Sequence, residues 1–365
     1  MCWRKSVLTL VLLVIVIVSK DNVIYSVERS FKSEETGEFT DDYEYDGIRI
    51  VTAKKGIRPI PDEITWSHDE KFLAASGGND INIINMESGK PVDVIKDIPG
   101  ITIGNVQWSP NGEEFHYESF AQGGNNTIFI YNLSQQRSRV LTSGSTVSES
   151  SCWSPDNKRI VYKADNMLKI IDIAKGTDMP VDPGKVGYGV WTAKGDICYL
   201  ESDCSEPENY SVKVYSPGKD SIKQTPKFTP DGGARMPLFS PNGAKLAWVS
   251  KRYKPTTLWV MDVGSLRKEI VYRSINYIGR VHWSPDSKQI AFIVTQEEVT
   301  FQILLVASLE DGTVRRITPE GRSIYAAAWS SDSKKIAFIS YRISEEEPSG
   351  LVPVDVDLSI AILNN

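Results

Sequence analysis

An aromatic residue followed by Ser or Thr and then by a short polar turn recurs along this sequence every 38 to 48 residues. A repeat of roughly 40–45 residues is typical of a propeller blade, a four-stranded unit that buries its faces only against neighbouring blades. The repeat constrains the fold more than any other feature of the chain. The aromatic residues of its seven copies are Trp66, Trp108, Trp153, Trp191, Phe239, Trp283 and Trp329.

Each repeat divides into four short segments that are rich in β-branched and aromatic residues and are separated by turns, which is the signature of strands. The first segment ends on the motif aromatic, as in GRVHW (279–283). The second and third are apolar, as in KIAFIS (335–340) and TLWVMDV (257–263), and the fourth is shorter and more polar, as in VRRITP (314–319). No segment has a helical period. The sequence therefore predicts an all-β fold, a seven-bladed β-propeller of four-stranded antiparallel blades.

The turn after each aromatic has a clear chemistry. Pro presets φ for the second turn position, Asp or Asn bonds to its own backbone, and Gly or Asn tolerates positive φ. The turn thus joins two antiparallel strands, and the aromatic before it is expected to be buried between neighbouring blades. Such burial stabilises the fold by about 1.5–3 kcal/mol for each ring, so we interpret the seven repeat aromatics as structural.

The last repeat lacks its fourth strand, because the chain stops shortly after SIAIL (359–363). A matching segment occurs near the other end, where IRIVTAKKG (48–56) is similar to VRRITPEG (314–321). We therefore predict that Ile48–Thr52 pairs with the C-terminal strand and closes the ring, which also removes exposed sheet edges.

The first residues form a separate region. Arg4 and Lys5 precede an apolar stretch from Val7 to Val18, which suits a signal peptide over 1–19. An uncleaved N-terminal membrane anchor is the alternative. We expect an acidic flexible spacer over 20–46 and the propeller over 47–365, and we expect the protein to be exported to the periplasm or cell envelope.

The formal net charge is −6, so no basic surface argues for nucleic-acid binding. We expect contact with a membrane only through the N-terminal segment. Cys152, Cys198 and Cys204 follow the leader without metal-ligand spacing. We interpret Cys152 and Cys198, which lie in strand-like segments, as buried free thiols, and a bridge from Cys198 to Cys204 is the alternative.

The sequence holds no motif for a cofactor, a metal or a catalytic residue. Its three histidines, His68, His116 and His282, are scattered over three repeats, and no phosphate-binding glycine loop occurs. The carboxylates within the repeats have a role in the turns, while a pair of Asp or Glu brought together by two loops stays open. We therefore predict no cofactor and no metal.

The connections between second and third strands vary most. The longest predicted connection runs over 341–356 in blade seven. Loops on one rim of a propeller commonly carry binding sites. The candidate partner-binding residues in this loop are Glu345, Glu346, Glu347 and Pro348.

The aromatic-Ser-Pro-Asp/Asn-Gly turn, with the IAFIS second strand and the LWVMD third strand, resembles the WD40-like repeat of the TolB family over residues 48–365. Two features depart from TolB itself, which has a separate N-terminal α/β domain and a six-bladed ring. Similar repeats build the propeller of prolyl-oligopeptidase-type enzymes, but the G-x-S-x-G elbow of their hydrolase domain is missing from this sequence.

The resemblance implies an exported, monomeric, non-enzymatic TolB-like propeller that acts as a binding scaffold for another envelope protein or a peptide. The alternative is a hydrolase or lyase with its active site in the propeller channel. Three or more clustered polar residues with shifted pKa values in the channel would favour the enzyme.

Overall fold

The computed structural model describes residues 42–45, 48–55, 61–77, 79–88, 90–95, 101–121, 126–142, 147–165, 167–182, 186–202, 209–250, 255–296, 301–319, 321–344 and 352–363. These residues form twenty-nine β-strands arranged in seven sheets. Within these ranges no helix has the length and apolar character needed to cross a bilayer.

Six blades have four antiparallel strands each. Blade one contains β3 (Glu63–Trp66), β4 (Phe72–Gly77), β5 (Asp80–Asn85) and β6 (Pro91–Ile95). Blade two contains β7 (Ile101–Trp108), β8 (Glu114–Ala121), β9 (Thr127–Asn132) and β10 (Arg137–Val140). Blade three contains β11 (Val147–Trp153), β12 (Arg159–Ala164), β13 (Met167–Asp172) and β14 (Thr177–Asp182).

The next three blades repeat this order. Blade four contains β15 (Val186–Trp191), β16 (Ile197–Ser202), β17 (Tyr210–Ser216) and β18 (Ser221–Gln224). Blade five contains β19 (Ala234–Phe239), β20 (Lys245–Ser250), β21 (Thr256–Asp262) and β22 (Lys268–Ser274). Blade six contains β23 (Tyr277–Trp283), β24 (Gln289–Gln296), β25 (Phe301–Ser308) and β26 (Val314–Arg316).

Blade seven combines both ends of the described chain. It contains β27 (Ser323–Trp329), β28 (Lys335–Ser344), β29 (Val352–Ile362), β2 (Ile48–Lys55) and β1 (Asp42–Tyr45), in the order β1-β2-β29-β28-β27. Ile50 pairs with Ala361 in an antiparallel ladder. The predicted closure by the N-terminal strand is therefore confirmed, as are the all-β class and the seven blades. One strand was not foreseen: β1 adds a fifth strand to this blade, within the segment expected to be a spacer.

The strand that ends on the motif aromatic is the inner strand of each blade. Inner strands of neighbouring blades approach one another around the channel, and the fourth strands carry exposed residues such as Val92, Val140 and Met179. Six of the seven inner strands contain a register shift before the aromatic, and β3 is the regular one.

The hydrophobic core consists of seven clusters, each formed by two adjacent blades. We name each junction by its blades. Junction 7–1, for example, packs Trp66 and Leu73 of blade one against Ile339 and Leu358 of blade seven. Because every blade buries both faces in this way, each junction contributes its own apolar interface to the stability of the ring.

Candidate functional site

The seven repeat aromatics lie between blades at the ends of the inner strands, and each is between 5% and 8% exposed. In five of them the indole Nε1 donates a hydrogen bond to the preceding blade. The acceptor is always the carbonyl of the residue just before that blade's own motif aromatic. The pairs are Trp66 with Ala328 at 3.2 Å, Trp108 with Thr65 at 3.2 Å, Trp153 with Gln107 at 3.1 Å, Trp283 with Leu238 at 3.0 Å and Trp329 with His282 at 3.2 Å.

The other predicted site residues belong to the candidate partner-binding loop of blade seven. Glu345, Glu346, Glu347 and Pro348 lie outside the described residues. The described flanks of that loop pair as strands, with Arg342 opposite Val354. The alternation of Val352, Val354 and Val356 with smaller or polar residues favours such a ladder, so β28 and β29 extend into a segment that the sequence suggested was a loop.

A candidate functional site emerges when equivalent positions of the blades are compared. Three positions meet at each junction: two on the second strand of one blade and one on the inner strand of the next, two residues before its aromatic. At junctions 5–6, 6–7 and 7–1 all three are apolar. They are Ala247, Val249 and Val281, then Ala291, Ile293 and Ala327, then Ala337, Ile339 and Ile64.

Junction 2–3 holds three polar residues at these same positions. They are His116 and Glu118 on β8 and Ser151 on β11, and we call them the polar trio. His116 and Glu118 are 0% exposed and Ser151 is 1% exposed. Buried polar groups in place of apolar ones require compensating hydrogen bonds, and they lower stability when those bonds are incomplete. The trio is therefore the place where this ring departs most from its own repeat.

The polar trio forms a continuous hydrogen-bonded chain. The Ser151 hydroxyl lies 2.7 Å from His116 Nε2 and 2.6 Å from Glu118 Oε1. Asn105 Nδ2 donates to Glu118 Oε1 at 2.6 Å and to Ser151 Oγ at 3.1 Å. Asn105 is half-buried on the inner strand β7, at the bulge, with a φ of 50° that Asn tolerates better than most residues. The chain thus leads from the inner strand into junction 2–3.

Burial fixes the protonation of the imidazole in this chain. It lowers the pKa of His116 to about 3, so the imidazole is neutral at neutral pH. One arrangement satisfies the contacts with Glu118 ionised: His116 Nε2–H donates to Ser151 Oγ, and the Ser151 hydroxyl donates to the Glu118 carboxylate. His116 Nδ1 then presents a lone pair, and this atom has no partner among the described residues.

Two further residues extend the polar surface around the inner strands. Glu63 on β3 is half-buried, and its carboxylate accepts the backbone N–H of Val106 at 3.3 Å. Burial raises the pKa of Glu63, and the nearby Glu118 charge adds to that rise, while Arg280 opposes it. Arg280 on β23 donates from Nη1 to the carbonyl of Asp62 at 2.6 Å, which joins blade six to blade one past blade seven. We call Glu63, Asn105 and the polar trio the channel cluster.

The Ser–His contact invites comparison with nucleophilic catalysis, but the geometry differs. In such sites the carboxylate orients the far nitrogen of the histidine, whereas here Glu118 bonds to Ser151, not to His116 Nδ1. The Ser151 side chain is also buried, so a substrate has no direct access to it. The arrangement suits recognition through Glu63 and Asn105, with the trio holding Asn105 in place.

Within the channel cluster, burial raises the pKa of Glu63 and lowers that of His116. His282, whose pKa burial lowers to about 4, belongs to blade six and makes no described contact with the cluster. Among the described residues no group of three or more His, Cys, Asp or Glu side chains could hold a metal ion.

The sequence carries a signal for this site in the equivalent positions of its repeats. Neither the scattered histidines nor any motif points to Glu118 and Ser151. When the repeats are aligned, His116 occupies the position that alanine occupies in four other blades. These alanines are Ala74, Ala247, Ala291 and Ala337. Only the fold, however, shows that Ser151 of the next blade meets the same spot.

No family model matches the chain. A stretch of 96 residues, 25% of this chain, is 33% identical to dipeptidyl-peptidase 5 of Porphyromonas gingivalis, and it covers 14% of the length of that relative. Because the match covers so little of the relative, it does not show whether this chain shares the activity of that peptidase.

Solved structures resemble the fold over far more of the chain. An oligogalacturonate lyase from Vibrio parahaemolyticus aligns with a TM-score of 0.63 at 12% identity, covering 88% of this chain and 95% of that one. TolB from Acinetobacter baumannii aligns with a TM-score of 0.51 at 16% identity, covering 70% of this chain and 63% of that one. At these identities the likeness concerns fold, and fold alone does not fix function. The chain is therefore a seven-bladed β-propeller, consistent with the TolB-like propellers that its repeats resemble.

Proposed function

We propose that this protein is an exported, non-enzymatic propeller that acts as a binding scaffold at the cell envelope, and that it binds its ligand at the channel cluster. The observation that carries the proposal is the polar trio. Three buried polar side chains occupy positions that are apolar at three other junctions of the same ring. Natural proteins accept such a cost in stability chiefly at functional sites.

The chemistry of the cluster indicates the ligand's character. Glu63 offers a half-buried carboxylate and Asn105 a half-buried amide, and Arg280 supplies a guanidinium nearby. A small polar molecule or a peptide with hydrogen-bond donors for Glu63 fits this set. The trio fixes the rotamer of Asn105 before binding, which lowers the ordering cost of recognition.

A thermal-unfolding screen tests the proposal directly. The full chain and the variant Glu63→Gln/Asn105→Ala are heated with amino acids, dipeptides and oligogalacturonate, the substrate named in the lyase neighbour. We expect a compound that raises the unfolding midpoint of the wild type in a concentration-dependent way and leaves the variant unchanged. An equal shift in both proteins would place binding elsewhere.

The same samples decide between the scaffold and the enzyme. Chromatography after incubation shows whether the bound compound is intact. Conversion of a peptide or of oligogalacturonate would favour the alternative, a hydrolase or lyase with its active site in the channel. Fractionation of cells that produce the full chain, with N-terminal sequencing of the product, tests export and cleavage near Ser19.

A further inference from the structure

The seven junctions are not equally bonded. The indole bond between neighbouring blades is missing at junctions 3–4 and 4–5. At junction 3–4 the buried Trp191 Nε1 has no hydrogen-bond partner among the described residues. At junction 4–5 the motif aromatic is Phe239, which has no N–H to donate.

A second series of hydrogen bonds between blades is missing at these two junctions and also at junction 1–2. At four junctions, a backbone N–H in one blade's motif turn donates to a side chain in the next blade's turn. The pairs are Asn111 with Asn157, Asn242 with Ser287, Asp286 with Ser333, and Asp332 with Glu70. The accepting position is Gly112, Gly195 and Gly243 in the other three blades, and glycine offers no such acceptor.

Junction 3–4 has a substitute for both bonds. Lys213 of blade four lies 2.8 Å from the Asp182 carboxylate of blade three, and the Tyr199 hydroxyl donates to Asp182 at 2.9 Å. The guanidinium of Arg159 also stacks 4.9 Å from the centre of the Trp191 ring. Blade three is therefore held to blade four by polar contacts of another kind.

Junction 4–5 depends mainly on apolar packing. Its motif turns share one weak backbone bond, from Ala193 N to Pro241 O at 3.3 Å. A Cβ at Gly243 would lie 2.5 Å from Thr192 Cγ2 and 3.0 Å from Cys198 Sγ, so an accepting side chain at this position would displace Thr192. The inner strands β15 and β19 also approach each other less closely than the inner strands at the other six junctions.

The outer side of this junction is tied more firmly. Phe228, in the segment that connects blades four and five, exchanges two backbone hydrogen bonds with Tyr210 of blade four. Lys268 of blade five lies 2.7 Å from Asp231 in the same segment. The contacts are thus weak toward the channel and stronger at the perimeter.

We infer that junction 4–5 is the seam at which this ring opens, with the connecting segment 225–233 as the hinge. Opening here separates β15 from β19 and widens the channel on the side opposite blade one. A ligand of the channel cluster would gain access by this movement, although the seam itself does not depend on that proposed function. Local opening of the least-bonded contacts, with the rest of the fold intact, is a general property of proteins.

The two cysteines that the structure describes are free and lie at adjacent junctions. Cys198 is 2% exposed and belongs to the apolar cluster of junction 4–5, while Cys152 is partly exposed and packs at junction 3–4. Burial raises the pKa of Cys198 to about 12, so the closed ring keeps this thiol protonated and unreactive. The labelling of each thiol in the native full chain, followed by peptide mass spectrometry, therefore reports the opening of its own junction.

We expect Cys198 to be labelled under native conditions faster than global unfolding allows. The variant Phe239→Trp supplies an indole N–H toward the Val190 carbonyl, as in five other blades. It should slow Cys198 labelling about fivefold, the equivalent of one hydrogen bond of about 1 kcal/mol, and leave Cys152 unchanged. The proposal that junction 4–5 opens locally would be overturned if Cys198 were labelled at the global unfolding rate, or if the variant slowed the labelling of both thiols equally.

A second variant covers the case in which Phe239→Trp does not fold. Phe239→Leu removes ring contacts from junction 4–5 and should accelerate Cys198 labelling, with Cys152 again as the reference. Equal acceleration of both thiols would contradict a local seam and indicate global loosening of the ring.

Discussion

The indole Nε1 of Trp66 donates a hydrogen bond to the backbone carbonyl of Ala328 at 3.2 Å, although 262 residues separate the two in the chain. The bond joins the first blade to the last. Glu70, four residues after Trp66, accepts from Ser331 Oγ and Asp332 N of blade seven and pairs with Lys335. Closure therefore has a side-chain component at junction 7–1 in addition to the strand ladder of β2 and β29.

The indole hydrogen bonds predict that replacing Trp by Phe lowers the free energy of unfolding by different amounts at two equivalent repeat positions. Trp66→Phe loses the bond to Ala328, whereas Trp191→Phe removes an N–H that has no partner among the described residues. Both variants lose similar ring volume. We expect Trp66→Phe to lower the free energy of unfolding by about 1–2 kcal/mol more than Trp191→Phe does. Urea unfolding of both variants measures this difference, and equal losses would contradict a role for the indole bonds.

The strand ladder predicts that deletion of residues 47–53 unfolds the ring or causes it to aggregate. The deletion removes most of β2 and exposes the edge of β29, which is paired with β2 in the native ring. Size-exclusion chromatography and thermal unfolding detect the effect. Deletion of residues 1–40 is the matched control and should leave the ring folded, and an unchanged melting temperature after deletion of 47–53 would rule out this closure.

The sequence predicted most of the fold because the repeat itself carries it. Each motif turn and each apolar segment acts locally, so Trp153 and its Ser-Pro-Asp turn identify a blade without knowledge of the others. Ring closure was predictable as well, since Ile48 and its neighbours are similar to the fourth strand of another blade. Strand β1 was not, because the acidic composition around Asp42 is typical of a spacer and only pairing with β2 organises it.

The candidate site was not predictable in the same way. His116 and Ser151 are 35 residues apart and belong to different blades, and they meet only because blade two packs on blade three. No local pattern marks such a contact. The repeat aromatics, which are the most regular residues of the sequence, use their polar atoms between blades and leave recognition to the positions at which blades differ.

Acid should destabilise the ring through His116. Its pKa is about 3 in the folded state, against about 6.5 when unfolded. The unfolded chain therefore binds a proton that the folded ring does not, and the stability is present above pH 6.5 and lost as the pH falls toward 3. Between pH 7 and pH 5 this residue should lower the free energy of unfolding by about 2 kcal/mol.

His282 contributes a similar loss, since its folded pKa is about 4. The effect of His116 is therefore isolated by comparing wild type with His116→Ala, which keeps Glu118, Glu63 and His282 in place. The difference in unfolding free energy between the two proteins should change by about 2 kcal/mol from pH 7 to pH 5. A difference independent of pH would mean that His116 has the same pKa in the folded ring as in the unfolded chain.

The most direct test of a functional role for the polar trio is the stability of His116→Ala/Glu118→Ile/Ser151→Ala, measured by urea unfolding at pH 7. This variant gives junction 2–3 the same apolar residues that Ala291, Ile293 and Ala327 provide at junction 6–7. Replacing a whole buried polar network by well-packed apolar residues is often neutral or stabilising. We predict a free energy of unfolding equal to or above that of the wild type, together with loss of binding at the channel cluster. A loss of more than about 2 kcal/mol would show that the trio is needed for the fold and would contradict its assignment to recognition.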